Sequence, residues 1–351
     1  MDHSLPAAQS GENGAAKAVY IAGSGAAQGS RLVASEEVDR AFGMPPGKLR
    51  ERAGISSLAY AAEGENELSL GAAAAEEVLR VAGAEPREVD WIVATTETHH
   101  NYPSLAAQLH SRLRVREECA ALDVGGGCLG LVNAFAVAQS LIACGQARAV
   151  AVVSADVHSR TLTPGRVAWE FGGLFGDGAS AFLLRKTNGA RQTTNYALGE
   201  FLFGCAGQYA GAVCVSDDKD GGLTLQFDGD ALSRAAISRM EKTIAALELR
   251  SGIRRACVGA FATHQPNPRL MALVARQCGI PEALFPEVAR ASGNLGSSTC
   301  GTALHLALAA AAQQPPEKQR PIFLASLGPG LLFGGGWITP SAVTREAQRD
   351  L

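Results

Sequence analysis

The chain has 351 residues, 47% hydrophobic and 19% charged, with a formal net charge of −3. A chain of this length buries most of the surface its unfolded form exposes, and the length prior is about two domains or two fused halves. The slight negative charge, with no Lys/Arg cluster and no aromatic–basic stripe, gives no electrostatic case for a nucleic-acid partner.

Residues 1–17 are polar and Ala/Gly-rich, without a charged segment followed by an apolar one, so they read as a disordered tail and not a signal peptide. Residues 19–22 form a short strand, and the stretch from Gly23 to Gly29, which lacks the third glycine of a phosphate-binding loop, reads as a strand-end turn. Ser35 reads as the cap of a helix that Pro45-Pro46-Gly47 interrupts, and an amphipathic helix over 68–82 stops at Gly83. A buried strand over 90–95 leads through a loop to a helix over 104–113. His99 and His100 in that loop lack a third partner nearby, so the loop reads as polar and no metal site is expected.

The run 121–131 comes next. Residues 121–124 read as the end of a buried strand, and Gly125, Gly126 and Gly127 allow a sharp turn. From Leu129 to Cys144 the chain is apolar almost all round, as in a helix buried inside a large protein, and Gly145 stands in the usual terminating position. Cys128 therefore sits where a strand turns into a helix N-terminus. Free N–H groups and the helix dipole there favour a thiolate, which predicts a lowered thiol pKa. The alternative is a cysteine that merely packs.

A strand over 149–154, a loop over 161–173 and a strand over 179–184 complete this half. The second half runs through a glycine-rich stretch at 199–215, a strand at 223–227, a helix at 231–249, a strand at 256–261 and a helix at 269–277. A small-residue helix opening near Asn294 runs to about 312, a connector to 320, and strands follow at 321–326 and 334–338 before a polar tail at 341–351. Strands alternating with helices predict a largely parallel α/β sheet covered on both faces. The order of elements repeats, which predicts an internal duplication over 18–190 and 191–340. The eight cysteines show no C-x-x-C pair and read as reduced thiols of a cytoplasmic protein. No apolar stretch reaches membrane-spanning length.

Cys128, His264 and Asn294 all fall at strand-to-helix turns, where open α/β sheets bind ligands, and together they suffice for covalent catalysis. Eight short motifs accompany them in order: Arg52-Ala53-Gly54-Ile55, Val93-Ala94-Thr95-Thr96, Tyr102-Pro103-Ser104, the stretch from Asp123 to Gly130, Phe175-Gly176-Asp177-Gly178, His264-Gln265-Pro266-Asn267, the stretch from Gly293 to Ser298, and Gly328-Pro329-Gly330. By these the chain resembles the thiolase superfamily, and within it the β-ketoacyl-acyl-carrier-protein synthase III branch. The resemblance implies an α/β thiolase-like fold, two duplicated βαβαβ-type halves forming an α-β-α-β-α layered sandwich.

The resemblance also implies roles. Cys128 would take an acyl group from acyl-CoA or an acyl-carrier protein, with the N–H groups of Cys128 and Gly330 as the oxyanion hole. His264 and Asn294 would hold the carbonyl of a malonyl-carrier protein as CO₂ leaves, and no tightly bound cofactor would be needed. Degradative thiolases carry a second cysteine in the last glycine-rich loop, and this chain has none there. Arg52 and Arg166 would meet CoA phosphates, Arg269 would dock a carrier protein, and Tyr102 would cross the interface of a homodimer. Lys48 stands where relatives that use CoA often carry a tryptophan, which leaves room for a specialised pathway enzyme. The rival functions are transfer of the acyl group to a hydroxyl or amine, an inactive partner subunit, and, more remotely, a cysteine hydrolase.

Overall fold

A computed structural model describes residues 18–186, 194–217 and 223–341. The tails expected at 1–17 and, apart from Ser341, at 341–351 lie outside the described residues, as does the junction expected at 190. The first half comprises Val19–Gln28 (β1), Arg31–Ala34 (β2), Ser35–Ala41 (α1), Lys48–Ala53 (α2), Ser57–Tyr60 (β3), Glu67–Val81 (α3), Trp91–Thr95 (β4), Leu105–Leu113 (α4), Ala120–Asp123 (β5), Gly130–Ala143 (α5), Ala149–Val157 (β6), Trp169–Gly172 (α6) and Asp177–Arg185 (β7). The second comprises Tyr196–Cys205 (β8), Val213–Asp217 (β9), Leu223–Phe227 (β10), Gly229–Ser251 (α7), Ala260–Thr263 (β11), Pro268–Gln277 (α8), Ala289–Ser292 (α9), Ser298–Ala312 (α10), Ile322–Gly328 (β12) and Leu332–Pro340 (β13).

Nine strands join in the order β11-β12-β13-β8-β1-β7-β6-β4-β5. Outward from the β1–β8 junction the halves repeat: β1, β7, β6, β4 on one side and β8, β13, β12, β11 on the other. The sheet is mixed, not largely parallel. Among the described residues only β4/β5, β4/β6 and β11/β12 run parallel in this sheet. The reason is in the connections: parallel neighbours need a long crossover, whereas β12 and β13 are separated only by the turn Pro329–Leu331.

Three apolar layers hold the helices. In the centre, Leu131, Val132 and Phe135 of α5 and Ala303, Leu304 and Leu308 of α10 pack between Val150 and Val152 of β6 and Ile322 and Leu324 of β12. The alternate β6 residues Ala151 and Val153 face outward onto Leu70, Val78 and Leu109 of α3 and α4. On the far side Met240 and Ile244 of α7 and Met271 and Val274 of α8 cover Phe261, Phe323 and Trp337. No helix of the described residues is long and apolar enough to cross a membrane.

Several local expectations are corrected. The stretch from Gly23 is not a turn, because β1 continues to Gln28. A side chain at Gly25 would place its Cβ 2.6 Å from the carbonyl oxygen of Ala74, so glycine here lets α3 lie directly on the strand. Ser35 lies inside its helix and not at the cap, and its hydroxyl donates to Glu36. The strand expected from 256 begins at Ala260, after a 3₁₀ turn at Arg255–Cys257. The glycine-rich stretch from 199 runs along β8 and into β9, and the small sheet of β2 and β3 was not foreseen.

Gly176 sits where the halves meet at the site. Its N–H donates to the carbonyl of Asn294 at 2.9 Å, and a Cβ there would lie 2.0 Å from the carbonyl oxygen of Ser292. We expect Gly176→Ala to cost roughly 2–3 kcal/mol in urea unfolding, as overpacking against backbone does. A change below about 0.5 kcal/mol would show that the contact yields freely.

Candidate active site

Cys128 lies in a single 3₁₀ turn, Gly127–Leu129, directly before α5. Gly126 (φ 137°) and Gly127 (φ 57°) occupy backbone conformations that other residues avoid. Asn133, in the first turns of α5, holds this loop by donating its side-chain N–H to the carbonyl of Gly125 at 3.0 Å. From the other half, Ser326 at the end of β12 donates its hydroxyl to the carbonyl of Cys128 at 2.5 Å. The strand before the turn is not a buried one: β5 is the sheet's outer edge, and Leu122 is 39% exposed.

His264 follows β11, and its backbone N–H donates to the carbonyl of Ala325 at 3.0 Å. Asn294 lies between α9 and α10, with its N–H on the carbonyl of Leu174 at 2.8 Å. Its Oδ1 accepts from the Gly296 N–H at 3.0 Å and the Thr299 hydroxyl at 3.2 Å. That fixes the amide so that its NH₂ group remains for the cavity. Cys128, His264 and Asn294 line one cavity of about 170 Å³, whose other walls include Phe171, Leu174, Phe175, Met240, Leu270 and Leu331. The volume and apolar walls suit an acyl or pantetheine-like chain.

The cavity also contains Glu97, which sequence reasoning missed. It lies in the loop after β4, and attention there fell on the adjacent histidines. His99 is engaged instead with the Pro103 carbonyl at 3.2 Å and with Gln108 at 2.9 Å. Among the described residues no group of three His, Cys, Asp or Glu is gathered as a metal would need. Beside Glu97 lies His158, Nε2 to Oε2 3.8 Å, with both side chains mostly buried.

The electrostatics correct one expectation. Burial, then the charge of Glu97, pushes the Cys128 thiol well above its ordinary value, so the helix N-terminus does not set it. Burial also works against ionisation of Glu97, but the neighbouring His158, with smaller contributions from Cys128 and His264, outweighs it and holds the carboxyl below the usual range. His158 is shifted upward: burial opposes its charge, and Glu97 and Asp156 prevail. Burial and Glu97 push Asp156 to about 6. Burial lowers His264 to about 4, which keeps its imidazole neutral at physiological pH.

The remaining expected residues lie apart from the cavity wall. Arg52, Arg166 and Arg269 are exposed, and Tyr102 is 97% exposed. A Cβ on Gly54 would lie 3.7 Å from the Arg269 side chain, so Arg269 lies close to the end of α2 that carries Arg52. Lys48 lies over the buried Trp169 ring, 4.6 Å from its centroid. In the last loop Gly328, Pro329 and Leu331 form the wall, and Gly330 is not among the lining residues. Pro329 has no N–H to offer.

A midpoint of about 4 is expected for His264 in an NMR titration of its imidazole, and one near 6.5 would contradict the burial described. Its pKa is depressed on folding, so the unfolded chain binds the extra proton below 6.5 and this group costs stability as pH falls from 6.5 to about 4. Asp156, raised to about 6, acts with the opposite sign below that pH.

Residues 122–207 match the family model 3-oxoacyl-[acyl-carrier-protein (ACP)] synthase III, and residues 249–339 match the model of its C-terminal part. The chain is 30% identical over 341 residues to β-ketoacyl-[acyl-carrier-protein] synthase III 3 of Streptomyces coelicolor, covering 93% of this chain and 98% of that protein. Among solved structures, 3-oxoacyl-(acyl carrier protein) synthase III of Pseudomonas aeruginosa superposes with a TM-score of 0.80 at 24% identity, covering 92% of this chain and 98% of that one. The priming β-ketosynthase of a polyketide pathway also gives 0.80 at 24% identity, covering 92% and 96%.

Proposed function

This chain belongs to the 3-oxoacyl-[acyl-carrier-protein] synthase III family of condensing enzymes, and on that premise we propose that it joins an acyl group to a malonyl-derived carbon through Cys128. The observation that carries this reading is the convergence of Cys128, His264 and Asn294 on one apolar cavity. Cys128 attacks an acyl thioester, and the donor leaves as a thiol. The second substrate, a malonyl thioester, then sets its carbonyl against His264 and Asn294. As CO₂ departs, the electron pair it leaves moves into an enolate that these two donors stabilise. The enolate carbon attacks the acyl-cysteine, and the Cys128 thiolate is released.

A neutral His264 suits this step, since it donates a hydrogen bond without needing a counter-charge. The oxyanion of the first step is assigned to the N–H of Cys128, with Gly330 as the second donor the resemblance implies. Acyl-carrier protein is the favoured donor for two reasons. Lys48 is occupied by the Trp169 ring, which is itself buried, and Arg269 and the end of α2 form a basic corner. Arg52 and Arg166 are the residues assigned to phosphate. The exposed edge strand β5 and the exposed Tyr102 support a homodimer paired through this edge. Eight unpaired cysteines fit a reducing cytoplasm.

The test uses His264→Ala and Asn294→Ala. Each should still accumulate acyl-Cys128 by intact-protein mass spectrometry while CO₂ release from malonyl-carrier protein falls roughly 10²- to 10³-fold, as for loss of an oxyanion donor. Acyl transfer to a hydroxyl or amine without CO₂ release would overturn condensation.

A further inference from the structure

We propose that Glu97 is a catalytic base: it takes the thiol proton of Cys128 as Sγ attacks the acyl thioester and hands that proton to the departing donor thiolate, with His158 as its positioning residue. The proposal rests on the covalent reading above and deepens its first half-reaction. The Sγ–acyl bond forms and the acyl–donor C–S bond breaks. The proton passes from Sγ to the Glu97 carboxylate and then to the leaving sulfur, so nothing is oxidised or reduced.

The geometry is built for this. Glu97 lines the same cavity as Cys128, and its charge bears directly on the thiol. Its Oε1 is buried with no hydrogen-bond partner among the described residues, and its Oε2 faces His158 Nε2 at 3.8 Å. The backbone that carries it is pinned on both sides. The Glu97 N–H donates to Asp156 Oδ1 at 2.5 Å, and Val157 donates its N–H to the Thr98 hydroxyl at 2.9 Å. Thr98 in turn donates to Glu67 at 2.6 Å. A loop anchored in this way sends the one side chain between its anchors to a fixed place.

A base is also needed. The thiol is held protonated at rest by burial and by Glu97 itself, so attack requires a proton acceptor at the moment of bond formation. Glu97 is ionised because His158 pairs with it. The titratable groups that face Glu97 are Cys128 from the turn before α5, Asp156 and His158 from the end of β6, His264 from the end of β11 and Cys300 from α10. Among these, Asp156 is committed to donors from Glu97, Thr96 and Ser297, and His264 faces the second substrate.

The experiment compares wild type with Glu97→Gln, Glu97→Asp and His158→Gln, using rapid-quench acylation by octanoyl-CoA and iodoacetamide alkylation of Cys128 against pH. Glu97→Gln should slow acylation roughly 10²- to 10⁴-fold, the usual range for a lost general base. At the same time it should move the alkylation midpoint to lower pH, because removing a negative charge eases thiolate formation. Glu97→Asp should recover part of the acylation rate. His158→Gln raises the carboxyl pKa of Glu97, so the acid limb of acylation should move to higher pH.

A mere structural role would slow both reactions without shifting either profile. Equal alkylation midpoints in wild type and Glu97→Gln overturn the proposal, whichever donor is used. Acylation of Glu97→Gln at the wild-type rate overturns it while leaving the covalent reading intact. A wild type that accepts no acyl group ends both the covalent reading and the base.

Discussion

Everything at the catalytic end depends on how closely α5 and α10 pass between the two halves of the sheet. Gly301 shows the constraint: a Cβ there would lie 2.0 Å from the Ser180 hydroxyl and 2.6 Å from a methyl of Leu131. Ser154, Ser180 and Ser298 form a small hydrogen-bonded set beneath this contact, at 2.8 and 3.0 Å, so the buried hydroxyls do not hold the layers apart. Because the helices are fixed in depth, their N-terminal ends arrive at one level. The turns of Cys128 and Asn294 then face each other, and the loop after β11 adds His264.

A second device locks that level in place. Asp156 at the end of β6 receives the Glu97 N–H on one oxygen and the Ser297 N–H and hydroxyl on the other, at 2.5, 2.8 and 2.6 Å. One carboxylate thus ties the loop after β4 to the start of α10. Asp177 does similar work nearby, accepting from Ala61 at 2.6 Å and from the Ser159 N–H at 2.9 Å. Buried carboxylates cost desolvation unless each oxygen is met by donors, and here the donors come from separate segments. Breaking either set would misplace the cavity floor as well as weaken the fold.

Much of this was legible in the sequence, because Cys128 and His264 each follow a strand, although Asn294 follows the short helix α9 and not the strand end expected of it. The glycine turn and the largely apolar helix behind Cys128 are local signals, and the structure keeps both. What escaped depends on distant partners. Glu97 is polar in a polar loop, and its meaning comes from Asp156 and His158, about sixty residues on. The thiol was misjudged for the same reason, since local helix geometry is visible in sequence and a carboxylate arriving from another loop is not. Gly25 looked like a turn because its purpose is set by α3. Strand direction escaped as well, since hydrophobic period reveals burial and not orientation.

The most direct test of the condensing reading is a chase. Wild-type protein is loaded with an acyl group on Cys128, freed of donor, and mixed with malonyl-carrier protein while intact mass and carrier-bound product are followed together. The adduct should disappear from Cys128 at the rate at which a β-ketoacyl-carrier protein and CO₂ appear, one for one. Loss of the adduct to water or to another acceptor, with no new carbon–carbon bond, would contradict it.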